Sequence, residues 1–144
     1  MIAVDTNILV YCHRADSQWH AKAGAALQSL AEGHSAWMIP WPCVHEFLAV
    51  VTHPRIYNPP TPIEAALQQI DAWMESPSLT VGAEVENYWQ TLRPLLLGAK
   101  IAGPAVHDAR VAALCIANGA DELWTADRDF SRFPQLRVRN PLLS

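Results

Sequence analysis

The chain has 144 residues, of which 51% are hydrophobic, and a formal net charge of −4. That size and apolar content suit one domain with a genuine core and exclude an intrinsically disordered chain. No apolar run approaches the roughly 18 residues of a membrane-spanning helix. Met1-Ile2-Ala3-Val4-Asp5 lacks the basic start and long apolar stretch of a secretion signal. The expectation is therefore a single soluble, cytoplasmic domain over residues 1–144.

Ile2-Ala3-Val4 reads as a first strand ending at Asp5, and Asn7–Tyr11 as the start of a short helix. Ser17 is placed to cap a helix that runs to about Glu32 and stops at Gly33. Ala36–Ile39 reads as a second strand closed by Pro40. Pro42 suits the first turn of the next helix, whose apolar stripe is Val44, Phe47, Leu48 and Val51. Residues 52–60 hold three prolines and read as a loop. Thr61-Pro62-Ile63-Glu64 has the pattern of a capping box, followed by Ile63, Leu67, Ile70 and Met74 at helical spacing. Leu79–Val81 is a short strand. A helix is expected from about Glu84, kinked or divided at Pro94. Pro104 opens another, ended by Asn118-Gly119. Leu123–Thr125 and the segment around Val138 are the last strands. Strands alternating with helices imply an α/β fold with a mainly parallel sheet covered by helices on both faces. Of the six tryptophans, Trp37 and Trp124 fall in strands and are expected in the core. Trp73 and Trp89 are expected to face the core or else a partner groove.

Cys12, Cys43 and Cys115 are odd in number and widely spaced, which matches neither a disulfide framework nor a zinc site, so buried thiols are expected. The acids are more informative. Asp5 and Asp127 both follow strands, and in open α/β sheets ligands bind beyond the carboxyl ends of strands. The two acids meet if their strands are parallel neighbours. Glu46 and Asp108 lie in the first turns of helices, where a carboxylate or a bound phosphate is favoured. Each acid alone also serves as a helix cap or dipole partner. Together with Asp129 they form an oxygen-only set, which suits a hard ion, Mg²⁺ or Mn²⁺. Setting these five aside leaves nine acids against ten bases, so the acidic total does not exclude a nucleic acid. His45 and His107, beside two of the acids, are read as packing or supporting groups.

Val4-Asp5-Thr6-Asn7 followed by Ile8-Leu9-Val10-Tyr11 resembles the opening motif of PIN-domain nucleases. Glu46 resembles their second acid, His107-Asp108-Ala109 the third, and Thr125-Ala126-Asp127-Arg128-Asp129-Phe130 the terminal signature. The order, spacing and length are similar to VapC toxins of bacterial toxin–antitoxin pairs. The resemblance implies a PIN-like three-layer α/β/α domain that hydrolyses RNA with metal-activated water. It makes Asp5, Glu46, Asp108 and Asp127 catalytic metal ligands, with Asp129 assisting, and Mg²⁺ the cofactor, replaceable by Mn²⁺. Thr6 and Asn7, expected on the substrate-binding side, would orient Asp5 or a metal-bound water, and Thr125 would hold the final acidic loop. Arg110, before Arg14, Lys100 and Arg128, is the first candidate for contacting phosphate. Partners implied are RNA, a VapB-like antitoxin and a second copy of the chain. The same acids would also serve another Mg²⁺-dependent nuclease or a phosphatase, and a non-catalytic module of this fold is a further alternative. A phosphoaspartate hydrolase is disfavoured, since position 7 is Asn rather than Asp.

Overall fold

The computed structural model describes residues 1–143. In chain order it contains β1 (Ile2–Val4), α1 (Thr6–His13), α2 (His20–Ala31), β2 (Trp37–Pro40), α3 (Trp41–Val51), α4 (Ile63–Met74), β3 (Leu79–Gly82), α5 (Tyr88–Gly98), α6 (Val106–Ala117), β4 (Glu122–Trp124) and β5 (Arg137–Arg139). Short 3₁₀ turns occupy Gly103–Ala105 and Arg128–Arg132. All strand pairs are parallel, in the order β3-β2-β1-β4-β5. The order reverses direction at β1: the chain first moves outward to β2 and β3, then returns through β4 to the other side. The carboxyl ends of β1 and β4 therefore flank a switch point, where a crevice opens. Helices α1, α2, α3 and α4 pack together as one group and α5 with α6 as another, with α6 resting on β2 and β4. This is the expected three-layer α/β/α arrangement. No described helix is long and apolar enough to cross a membrane.

Short strands buried on both faces explain why the sheet reads as continuous apolar runs rather than alternating ones. Every residue of β2 is buried, as are Ala3, Val4, Leu123 and Trp124. Phe47 of α3 meets the Trp73 ring edge-on at 5.1 Å, joining α4 to the core. Gly82 ends β3 where a Cβ would lie 2.6 Å from the Met38 sulfur, so a side chain there would force the buried Met38 side chain to move. Gly119, at φ 84°, ends α6 in the left-handed conformation that glycine adopts without strain.

Several local expectations are corrected. Ser17 does not cap α2; its hydroxyl accepts from the Trp19 amide, one turn early. Thr61 does not form a capping box, because its hydroxyl is taken by His13 Nε2 at 3.0 Å and Arg14 Nη1 at 3.2 Å, and Pro62 is the cap residue. The buried face of α4 is Ala66, Ile70 and Trp73, while Ile63, Leu67 and Met74 are exposed. Helix α5 begins at Tyr88 rather than near Glu84 and carries Pro94 inside it undivided. Trp89 is 58% exposed and is not core. Cys43 and Cys115 are buried, but Cys12 is only half-buried.

Candidate active site

The parallel pairing of β1 with β4 sets Val4 opposite Trp124, so Asp5 and Thr125 leave the sheet side by side. The Asp5 amide continues the ladder by donating to the Trp124 carbonyl at 3.0 Å. Both acids at these strand ends also cap the helical turn that succeeds them in the chain. The Asp5 carboxylate accepts from the Thr6 amide at 2.8 Å and starts α1; Asp127 accepts from the Asp129 amide at 2.8 Å and starts the 3₁₀ turn. Capping and site membership thus coexist in the same side chains.

Asp5 is buried, and its carboxylate is held from every side. Oδ1 accepts from Thr6 N and from the Cys43 thiol at 3.5 Å; Oδ2 accepts from the Thr125 hydroxyl at 2.8 Å and Asn7 Nδ2 at 3.3 Å. Thr125 Oγ1 in turn accepts from the Asp127 amide and from Asn7 Nδ2, and Asn7 Oδ1 accepts from the Ala126 amide. Asn7 therefore ties the start of α1 to the acidic loop. In this network Asn7 and the Thr6 amide contact Asp5, and the Thr125 hydroxyl accepts from the acidic loop. Thr6 acts through its backbone; its own hydroxyl is buried with no hydrogen-bond partner among the described residues. Sequence reasoning misses Cys43. Its only signal in the sequence is its position, three residues and thus nearly one turn before Glu46 on the same helix.

Carboxylate oxygens of Asp108, Asp127 and Asp129 lie within 4.8 Å of one another. Asp5 and Glu46 stand outside this tight trio yet feel it. Desolvation, then the charges of Asp127 and Asp5, raises the Asp108 carboxyl above its ordinary value. Glu46 is exposed overall, but partial desolvation and the charges of Asp5, Asp108 and Asp127 push it up, while His107 pulls it down. Asp5 is raised chiefly by burial, against the lowering effect of its hydrogen bonds to Thr125 and Thr6. Acids from the end of β1, α3, α6 and the loop and 3₁₀ turn after β4 thus come together, and their charges help to raise Asp5, Glu46 and Asp108. Arg132, 3.6 Å from Asp129, offsets only part of this charge, and oxygen donors with excess negative charge fit a hard divalent cation. The thiols do not join it as nucleophiles: burial pushes Cys12 up to about 11 and Cys43 and Cys115 up as well.

Two cavities open beside Glu46. One, of about 230 Å³, is lined by Asp5, Asn7, Tyr11, Glu46 and Tyr57 among others. The second, of about 340 Å³, lies between α3 and α6 and is lined by His45, Glu46, His107 and Arg110 among others. Arg110 is 42% exposed and loosely paired with Glu84 at 3.7 Å, so it remains available at that cleft. His45 stacks on Trp41 at the same rim. Arg14 is a different case. It binds Asp16 through two nitrogens, donates to Pro59 O and lies 4.2 Å over the Tyr57 ring, which makes it a loop anchor. Lys100 is an exposed residue at the end of α5, with φ 52°.

Comparison with known proteins gives a consistent set. The PIN domain family matches residues 2–136. A VapC ribonuclease of Mycobacterium bovis is 37% identical over 142 residues, covering 99% of this chain and 96% of that protein. Ribonuclease VapC48 of Mycobacterium tuberculosis is 30% identical over 137 residues, covering 95% and 94%. Among solved structures, VapBC2 from Rickettsia felis bound to a promoter DNA fragment superposes with a TM-score of 0.68 at 22% identity, over 97% of this chain and 98% of that one. Mycobacterium tuberculosis VapC20, described as a sarcin–ricin loop cleaving toxin, gives 0.65 at 18% identity over 91% and 93%.

Proposed function

Because the chain belongs to the PIN-domain family, we propose that it is a VapC-like toxin, an endoribonuclease that hydrolyses RNA phosphodiester bonds within a single PIN domain. Asp5, Glu46, Asp108 and Asp127, assisted by Asp129, are its metal-binding and catalytic acids, and Mg²⁺ is the cofactor, with Mn²⁺ able to replace it. The observation that carries this reading is the convergence of chain-distant carboxylates at the β1–β4 switch point, three of them within 4.8 Å. A hard divalent ion, when bound, supplies a lowered water pKa and neutralises charge developing on the phosphoryl oxygens.

The chain's own residues do the positioning. Thr125, Asn7 and the Thr6 amide hold Asp5 in one orientation, and the same Thr125 hydroxyl fixes the amide of Asp127, so both strand-end acids share one reference point. Arg110, with the imidazoles of His45 and His107, lines the cleft on the far side of Glu46 and holds flanking phosphates of the strand. Among the described residues no Ser–His or Cys–His pair stands at the site, in keeping with direct attack by water.

A VapB-like antitoxin and a second copy of the chain are the proposed protein partners. The chain superposes on VapBC2, and the exposed apolar residues Ile63, Leu67 and Met74 of α4 and Trp89 and Leu97 of α5 offer surface for such contacts.

The test is cleavage of tRNA and rRNA, with single-stranded DNA and small phosphate esters as competing substrates, in Mg²⁺ and in EDTA. RNA cleavage that stops in EDTA and in Asp108→Asn is expected. Full activity in either condition, or preference for DNA or the small esters, refutes the proposal.

A further inference from the structure

The 230 Å³ cavity is built on a one-turn register. Asn7 and Tyr11 are four apart on α1, and Glu46 and Val50 are four apart on α3, so each helix presents a site residue and, one turn further, a wall residue on the same face. Tyr57 closes the cavity from the loop after α3. That loop is held in place before any ligand arrives: Tyr57 N donates to His53 O, Thr61 N donates to Val51 O, and the Arg14 guanidinium lies over the Tyr57 ring. The cavity is smaller than the roughly 300–1,000 Å³ that houses a whole drug-sized ligand. It suits one planar heterocycle. Its inner wall is Asp5, Asn7 and Glu46, so an occupant touches the acid group directly.

Single-stranded RNA is recognised by bases splayed against aromatic side chains. We infer that the cavity is a nucleobase subsite, which takes the base next to the scissile phosphate against Tyr11 and Tyr57. This rests on the nuclease reading for its substrate class and adds a specificity element to it. A nucleotide whose phosphate lies at the acids has its base one sugar away, and the cavity begins at the same side chains and runs one helical turn from them.

The experiment uses the full-length Asp108→Asn protein, which is not expected to cut, and labelled homopolymeric oligoribonucleotides of A, C, G and U beside an abasic ribose–phosphate oligomer of equal length. At least one homopolymer should bind about tenfold more tightly than the abasic strand, within what base–aromatic contacts contribute. Tyr57→Leu should remove that preference. Val50→Phe, which fills the cavity and removes no contact, should remove it too, and Tyr57→Phe should keep it. Melting curves confirm that each variant is folded. Equal binding of abasic and intact strands, or a preference that survives both Tyr57→Leu and Val50→Phe, overturns the subsite. Loss of binding to a VapB-like antitoxin in Tyr57→Leu and Val50→Phe, with RNA binding unchanged, overturns it in favour of a peptide pocket. The two readings separate cleanly. RNA cleavage by the unsubstituted protein with no base preference sinks the subsite alone, whereas base preference without cleavage sinks the nuclease reading alone.

Discussion

Neutralising Asp108 should stabilise the metal-free protein and destroy its response to metal. Asp108 has two like-charged neighbours, Asp127 and Asp129, whose oxygens lie within 4.8 Å. At that separation two unit charges repel by about 0.9 kcal/mol in water and about 3.5 kcal/mol at an effective dielectric of 20. Asp108 is only partly buried, so the water-like end applies, which gives about 2 kcal/mol for the two pairs before salt screening. For a chain of this size that is roughly 4–8 °C in Tm. Asp108→Asn should therefore melt higher than the parent in EDTA. Metal reverses the order. Binding to the native state at a hundredfold excess over Kd adds about 2.7 kcal/mol, and at a thousandfold about 4.1 kcal/mol. The variant, lacking one of the three clustered carboxylates, should show only a small fraction of this.

The pH dependence arises first from burial of these carboxylates and then from their repulsion. Asp5, Glu46 and Asp108 all have carboxyls raised above their ordinary values of 3.8, 4.5 and 3.8. The folded, metal-free chain thus binds protons more tightly than the unfolded one. This contribution to stability is complete below those ordinary values and is lost as pH rises through the raised ones. Exposed Asp16 and Asp121, both lowered, act in the opposite sense. Scanning fluorimetry in EDTA, MgCl₂ and MnCl₂ between pH 4 and 8 reads all of this. An Asp108→Asn protein no more stable than the parent in EDTA, or one with an undiminished metal shift, would refute the reasoning.

Thr125→Val removes the hydroxyl that donates to Asp5 and accepts from Asp127 N. It should cost about 1–3 kcal/mol through the buried carboxylate left short of a donor, and turnover should fall more than Tm alone explains; unchanged turnover would show that Asp5 is positioned by other contacts. Asp5→Asn should abolish cleavage but also lower Tm by a few degrees, because an amide has one acceptor oxygen and turns an NH₂ toward the remaining donors, so a variant that melts like the parent would contradict the hydrogen-bond network. Arg110→Ala should raise KM for RNA with kcat little changed and flatten the salt dependence of binding, as measured in steady-state cleavage at several salt concentrations. Arg14→Ala should leave kcat little changed, loosen the Tyr57 loop and so raise KM for RNA, and lower Tm by about 1 kcal/mol equivalent, since its partners are Asp16, Pro59, Thr61 and Tyr57.

The parts of this site legible in the sequence are those governed by topology. Asp5 and Asp127 could be paired on paper because each ends a strand in an alternating α/β chain, and parallel neighbours deliver their carboxyl ends to one edge. What stayed hidden depends on contacts between distant segments. Helix α4 carries apolar residues on two faces, and periodicity alone cannot say that Ala66, Ile70 and Trp73 turn inward while Ile63, Leu67 and Met74 stay out. The Thr61 hydroxyl matches a capping pattern locally, but partners 47 and 48 residues away claim it. Cys43 reads as an ordinary buried thiol until the fold sets it against Asp5. Tyr57 has no local signal at all, since its place on the cavity wall comes from a loop tied down by Arg14.

The site divides into a locked half and an open half. A carboxylate offers about four acceptor positions, and Asp5 has four donors around it: the Thr6 amide, the Cys43 thiol, the Thr125 hydroxyl and the Asn7 amide. Asp108, Asp127 and Asp129 are different: they crowd together with fewer donors around them, the Asp129 amide on Asp127 and Arg132 at 3.6 Å from Asp129. Lone pairs and repulsion only partly offset by Arg132 coincide in that trio, so a cation gains most there, and Asp5 joins most readily by yielding one of its longer contacts, to Asn7 at 3.3 Å or Cys43 at 3.5 Å. Asn7 therefore serves two ends at once. Its carbonyl keeps the acidic loop on α1 through the Ala126 amide, while its amino group occupies the position on Asp5 that a ligand would take. A side chain with only an acceptor could do the first, and one with only a donor the second; the carboxamide does both, which is a physical reason for Asn rather than Asp at this turn of α1.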